Sequence, residues 1–232
     1  MSASKPVIEL TDLRPLTEPD ELPIVLPALQ LMPGDLALVE ARDPRRAAWF
    51  ADLCCGLVPL AEGSVRFLGH DWTRLPHNYA AALRGRIGRV FAAGGWIDFL
   101  DVTANILLPQ LHHSRVPIER LRERAIELAG AFGLPGLPLG HVSDLSALDL
   151  ARAACVRAFL GEPALLILES PVQAQFEELK LGLLSAVAAV RDDWTAVIWL
   201  TRSDLVWSDR SFPATHRFRL SDRGLMPARH AA

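Results

Sequence analysis

The sequence predicts an α/β domain built around a buried sheet, and three observations carry that reading. Strand-like and helix-like runs alternate along the 232 residues. Ala164 to Leu168 is apolar without interruption, as in a strand covered on both faces. Half of the residues are hydrophobic and 22% are charged, which supplies a sizeable core within globular norms.

Val7 to Leu13 and Ile24 to Met32 read as strands, the second ending at the turn Pro33-Gly34. Leu36 to Val39 is a short apolar run, and helical spacing follows from Arg45 to Cys55. Ser64 to Leu68 is a strand set between Gly63 and Gly69, and Ile87 to Phe91 is another short one. The pattern is helical from Val102 to Gly133, most clearly over Glu119 to Phe132. Ser146 to Leu160 is helical too, with Ser146 as N-cap and Asp149 three residues on, close to a capping box. After Ala164 to Leu168 come a helix over Glu177 to Val190 and a buried strand over Thr195 to Leu200. Thr215 to Leu220 and Asp222 to Leu225 suggest a closing hairpin. With no internal repeat or low-complexity linker, 1–232 is one domain: 1–91 and 161–232 form the core and its β part, and 92–160 an inserted helical part.

A net charge of -3 gives no reason to expect nucleic acid as a partner. No stretch reaches the ~20 apolar residues that span a bilayer. Met1 to Asp12 lacks the basic and long apolar regions of a signal peptide. Cys54, Cys55 and Cys155 lie in apolar helical patterns and read as buried thiols of a reducing compartment, not as a disulfide framework or zinc site, and no metal site is expected.

Read in order, about 215 residues resemble the ABC transporter ATP-binding subunit family. Pro33-Gly34-Asp35-Leu36-Ala37-Leu38-Val39 resembles the strand leading into that family's phosphate loop, and Cys55-Gly56-Leu57 the end of the helix after it. Glu62-Gly63-Ser64-Val65 with Leu68-Gly69 is similar to its first hairpin. Arg86-Ile87-Gly88 with Val90-Phe91 resembles the strand before its glutamine loop, and Asn105-Ile106 with Leu108-Pro109 the helix after. Leu145-Ser146 opens the signature segment, Ala151 to Ala158 continues it, and Pro163 to Pro171 occupies the Walker B stretch. The resemblance implies an ABC-type P-loop ATPase fold: a RecA-like core with a mixed sheet, an antiparallel β subdomain and an inserted helical subdomain. Within the family, Gly94 to Val102 is similar to the lipid-transport ATPases of MCE and Mla systems.

The chemistry that the resemblance implies is missing from the residues. The family's phosphate loop uses glycines to converge backbone N–H groups on phosphate, a lysine to reach the terminal phosphates and a hydroxyl to ligate magnesium. Here the aligned stretch is Ala41-Arg42-Asp43-Pro44-Arg45-Arg46-Ala47-Ala48. Ala47 stands for the lysine, Ala48 for the hydroxyl residue, and Pro44 has no N–H to offer. Asp43-Pro44 is instead a helix start, with a carboxylate where an anionic phosphate would sit. At roughly 1.5–3 kcal/mol per charged hydrogen bond, losing the lysine and one amide weakens binding by about 3–6 kcal/mol. Arg42, Arg45 and Arg46 argue the other way, because arginine also binds phosphate.

Other family positions are altered too. Ala92 stands at the glutamine-loop position, and the signature reads Leu145-Ser146-Ala147-Leu148-Asp149, adding bulk and negative charge. The magnesium aspartate and neighbouring catalytic glutamate become Glu169 and Ser170. Phe176 falls at the D-loop aspartate, Arg202 replaces the switch histidine, and no aromatic residue precedes Trp49 to stack on adenine.

The resemblance therefore implies a non-catalytic, pseudo-ATPase subunit of an ABC transporter, with a structural or regulatory role and a lipid cargo in the narrower likeness. It implies a peripheral location on the inner face of the cytoplasmic membrane. Its partners would be a membrane permease and a second nucleotide-binding domain, the same chain or an intact paralogue. Phe91, Trp96, Ile97, Phe99 and Leu100 would line the permease groove. No cofactor is expected. ATP and magnesium enter only in the alternatives: a divergent ATPase using Glu169 and the arginines, or (without them) a soluble regulator reusing the fold.

Overall fold

Two sheets organise the chain, and alternation within their strands explains how both faces of the larger one are buried. The computed structural model describes residues 5–16, 28–172 and 177–228. β1 (Ile8–Pro15), β2 (Leu29–Leu31), β4 (Leu60–Phe67) and β5 (His70–Asp71) form an antiparallel sheet in the order β2-β1-β4-β5. β3 (Leu36–Ala41), β6 (Ile87–Val90), β7 (Leu165–Glu169), β8 (Ala196–Thr201), β9 (His216–Ser221) and β10 (Gly224–Pro227) form the second, ordered β10-β9-β3-β8-β7-β6. Every pairing in it is parallel except β9 with β10.

Successive side chains point to opposite faces. Ala37, Val39, Leu165, Ile167, Ile198 and Leu200 therefore pack with α1 (Pro44–Cys54) and the antiparallel sheet. Leu36, Leu38, Leu166, Leu168, Val197 and Trp199 pack on the other face, against α3 (Val102–His113), α4 (Ile118–Ala131), α5 (Ala147–Phe159) and α6 (Glu177–Asp192). Among the described residues no helix is long and apolar enough to cross a membrane.

Close approaches fix α5 and α1. A Cβ on Gly88 of β6 would lie 2.0 Å from the Ala158 carbonyl oxygen, so only glycine lets the strand approach α5 this closely. Gly56, just past α1, has φ 66°, and a Cβ there would fall 2.4 Å from the Trp72 ring.

Several expectations change. The helical run from Val102 to Gly133 is two helices, because Ser114 to Pro117 breaks it and Pro117 begins α4 as N-cap. The strand expected over Ile24 to Met32 is β2 alone; residues 24–27 lie outside the described residues. β4 starts at Leu60 and runs through Gly63 instead of starting after it. The sequence reading passed over α2 (His77–Arg84), which buries only Ala80 and so leaves no apolar stripe, and the single turn α7 (Asp204–Ser208).

Candidate functional site

The C-terminal ends of the parallel strands carry the residues singled out by resemblance. β3 ends at Ala41, and Asp43 is the N-cap of α1, its carboxylate accepting the Arg45 N–H at 2.9 Å. Pro44 takes the first helical position, where a missing N–H costs nothing. Arg46 Nε lies 3.6 Å from the same carboxylate, while Arg45 is 93% exposed and 3.9 Å away. Ala47 is buried under this turn.

Glu40 is buried at the end of β3 between two guanidinium groups. Arg42 Nε donates to it at 3.1 Å, and Arg219 of β9 donates to its other oxygen. Arg42 also reaches Asp204, the first residue of α7, at 3.1 Å. Its pKa lies above the usual arginine value, first through the hydrogen bond to Glu40. Arg202 is exposed in the turn from β8 to α7.

On the other side of α1 stands Arg89, which sequence reasoning passed over. From β6 its Nε donates to Glu169 at 2.6 Å, its Nη1 to Asp52 of α1, and its Nη2 to the Ala48 carbonyl at 3.3 Å. The guanidinium lies 4.4 Å from the Phe91 ring centroid. Burial pulls its pKa down, but the bonds and charges of Asp52 and Glu169 outweigh that and hold it above the usual value. Glu169, 2% exposed, is thus neutralised from within the chain. The signal for Arg89 was available: a charge in the four-residue strand Ile87-Gly88-Arg89-Val90, between two buried neighbours, requires a partner.

Ser170 follows with φ 45° and donates its N–H to the Leu200 carbonyl at 2.9 Å. Ser146 caps α5, accepting the Asp149 N–H at 3.1 Å and donating its hydroxyl to the Asp149 carboxylate at 2.9 Å. Arg152 binds Asp149 at 3.1 Å and Glu178 at 3.2 Å. Leu148 is half-buried and packs on the helical core. Phe91, Ala92, Trp96, Ala147, Glu169 and Ser170 converge on one depression of about 220 Å³. Phe176 lies outside the described residues.

The five groove residues divide. Phe91 and Trp96 are brought together by Arg157 of α5, whose guanidinium lies 5.5 Å and 4.5 Å from their ring centroids. Ile97 is stapled to α3, its N–H donating to the Asn105 side chain at 2.8 Å. Leu100 is half-buried, and Phe99 projects outward at 83% exposure.

No family model matches the chain. The chain is 33% identical over 160 residues to the lipoprotein-releasing system ATP-binding protein LolD of Maricaulis maris, covering 67% of this chain and 69% of that one. It is 27% identical over 156 residues to the intermembrane phospholipid transport system ATP-binding protein MlaF of Haemophilus influenzae, covering 67% of this chain and 59% of that one. The matches span about three fifths of the length of some curated relatives. The dimeric structure of MJ0796, a bacterial ABC transporter cassette, superposes with a TM-score of 0.78 at 20% identity, covering 94% of this chain and 96% of that one. With that sequence likeness on this fold, the chain belongs to the family of ABC transporter ATP-binding subunits.

Proposed function

We propose that this subunit keeps the ABC cassette as a scaffold and neither holds ATP tightly nor hydrolyses it. On this reading it is peripheral on the inner face of the cytoplasmic membrane, gripping a permease and pairing with a second cassette, its own copy or an intact paralogue. Its role there is structural or regulatory. The observation that carries the reading is the Arg89 guanidinium seated on Glu169 and Asp52.

Glu169 stands where the family places its magnesium carboxylate. A metal ion there would have to displace Arg89, and breaking a buried ion pair costs roughly 3–5 kcal/mol. That is a factor of about 100 to 5,000 in affinity. The phosphate end fits no better. Asp43 already supplies the anion that the α1 N-terminus favours, and a second anion beside it would be repelled. The residues present do not fit a magnesium–triphosphate group. The divergent-ATPase alternative requires the Arg89–Glu169 pair to open. For cargo, the segment from Gly94 to Val102 and the likeness to MlaF favour a lipid-handling membrane partner.

Steady-state phosphate release, with and without magnesium, tests this reading in the purified chain and in the Glu169→Ala variant. Both samples are expected to match the buffer blank. Magnesium-dependent turnover that vanishes in Glu169→Ala would overturn the proposal.

A further inference from the structure

With Ala80 alone buried along its length, α2 depends on its C-terminal end for attachment. Its C-cap, Gly85, meets the last turn of α3 there. A Cβ on Gly85 would fall 2.4 Å from the Cβ of His113, so the two helix ends touch closely. The Gln110 side chain of α3 donates to the Gly85 carbonyl at 3.4 Å. Arg84, the residue before, is fixed on the far side of the seam. Its Nε and Nη2 each lie 3.0 Å from a backbone carbonyl, those of Cys55 and Gly56, and its guanidinium stands 5.4 Å from the Trp72 ring centroid.

His113 is half-buried in this seam. Among the described residues its ring meets His112, edge-on with centroids 4.7 Å apart, and has no hydrogen-bond acceptor or carboxylate to receive a second proton. Burial, and then the charges of His112 and Arg84, hold its pKa below the usual histidine value. Both of those charges oppose a positive ring. α4 and α5 also pack on α3, but none of their charged groups bears on His113, and neither does Arg86 just after α2. The C-terminus of α3 favours a cation, and His112, exposed on the same turn, meets that preference in water.

We propose that the contact between His113 and Gly85 is an acid-sensitive latch: a proton on the ring drives the end of α2 off α3 while the core and the other helices stay folded. The ring is harder to charge in the closed seam than in the open one. The penalty is therefore absent above the usual histidine value of about 6.5, grows as pH falls through it, and levels off once the closed ring is protonated. The latch depends on neither the nucleotide reading nor the membrane reading.

Amide exchange in the full-length chain tests it, measured at about pH 7.5 and about pH 5.5 and expressed as protection factors, so that the intrinsic pH dependence cancels. Ala81 to Gly85 are expected to lose protection by at least ~3-fold at the lower pH, while Ala125 to Ala129 of α4 keep theirs. His113→Gln should abolish that loss and His112→Gln should retain it. Should His113→Gln fail to fold, the parent protein suffices: the His113 ring resonances, followed over the same range, should share their midpoint with the change in α2. Equal protection of α2 at both pH values, a loss that persists in His113→Gln, or an α2 midpoint displaced from that of the ring would overturn the latch. A loss shared equally by α4 would overturn it too, because it reports general acid unfolding.

Discussion

Arg89 carries a full positive charge into a strand whose two neighbouring residues are buried, and three groups from two other elements meet it there. Removing one member of such a buried pair leaves the other without its counter-charge. Arg89→Met is therefore expected to lose about 3–5 kcal/mol of stability, read from the denaturant midpoint. Replacing both partners by apolar residues, Arg89→Met with Glu169→Leu, should cost clearly less than the single change. A single variant as stable as the parent would contradict the pairing. Asp43→Ala removes the side-chain cap of α1 and should cost about 0.5–2 kcal/mol in the same assay.

Elements respond to packing, and here glycine and cysteine give the sharpest expectations. Gly88→Ala drives a methyl group into the Ala158 carbonyl, where backbone has little room to give. The strand must shift off α5, and about 1–3 kcal/mol should be lost, visible as a thermal midpoint lower by roughly 2–12 °C. In α1, Cys54 and Cys55 are both buried, and burial pushes the Cys55 thiol up to about 11 and Cys54 well above its usual value. The Cys155 thiol is pushed up to about 12 for the same reason. A thiol at 11 is about one part in a thousand thiolate at pH 8, and reactivity grows only as pH climbs toward 11. The folded protein should thus give no fast reaction with a disulfide reagent at pH 8, and all three thiols should react once it is unfolded. A thiol that reacts quickly in the folded state would contradict the burial.

Across the whole molecule, the sequence disclosed what depends on periodicity and hid what depends on convergence. β7 and β8 are legible because a strand buried on both faces must be apolar throughout. α2 is not, since it buries one alanine, and the break at Ser114 to Pro117 was masked by helical spacing on either side. The altered residues at 41–48, 92, 146–149 and 169–170 were readable one by one. That Arg89 spans 37 positions to Asp52 and 80 to Glu169 was not, because only the pairing of β6 with β7 and the packing of α1 on β7 bring those groups together. Equilibrium titration of the purified chain with labelled ATP and magnesium tests the central claim most directly. The account predicts no saturable binding below millimolar nucleotide in the parent protein. A micromolar dissociation constant, with phosphates held against residues 41–48, would contradict it.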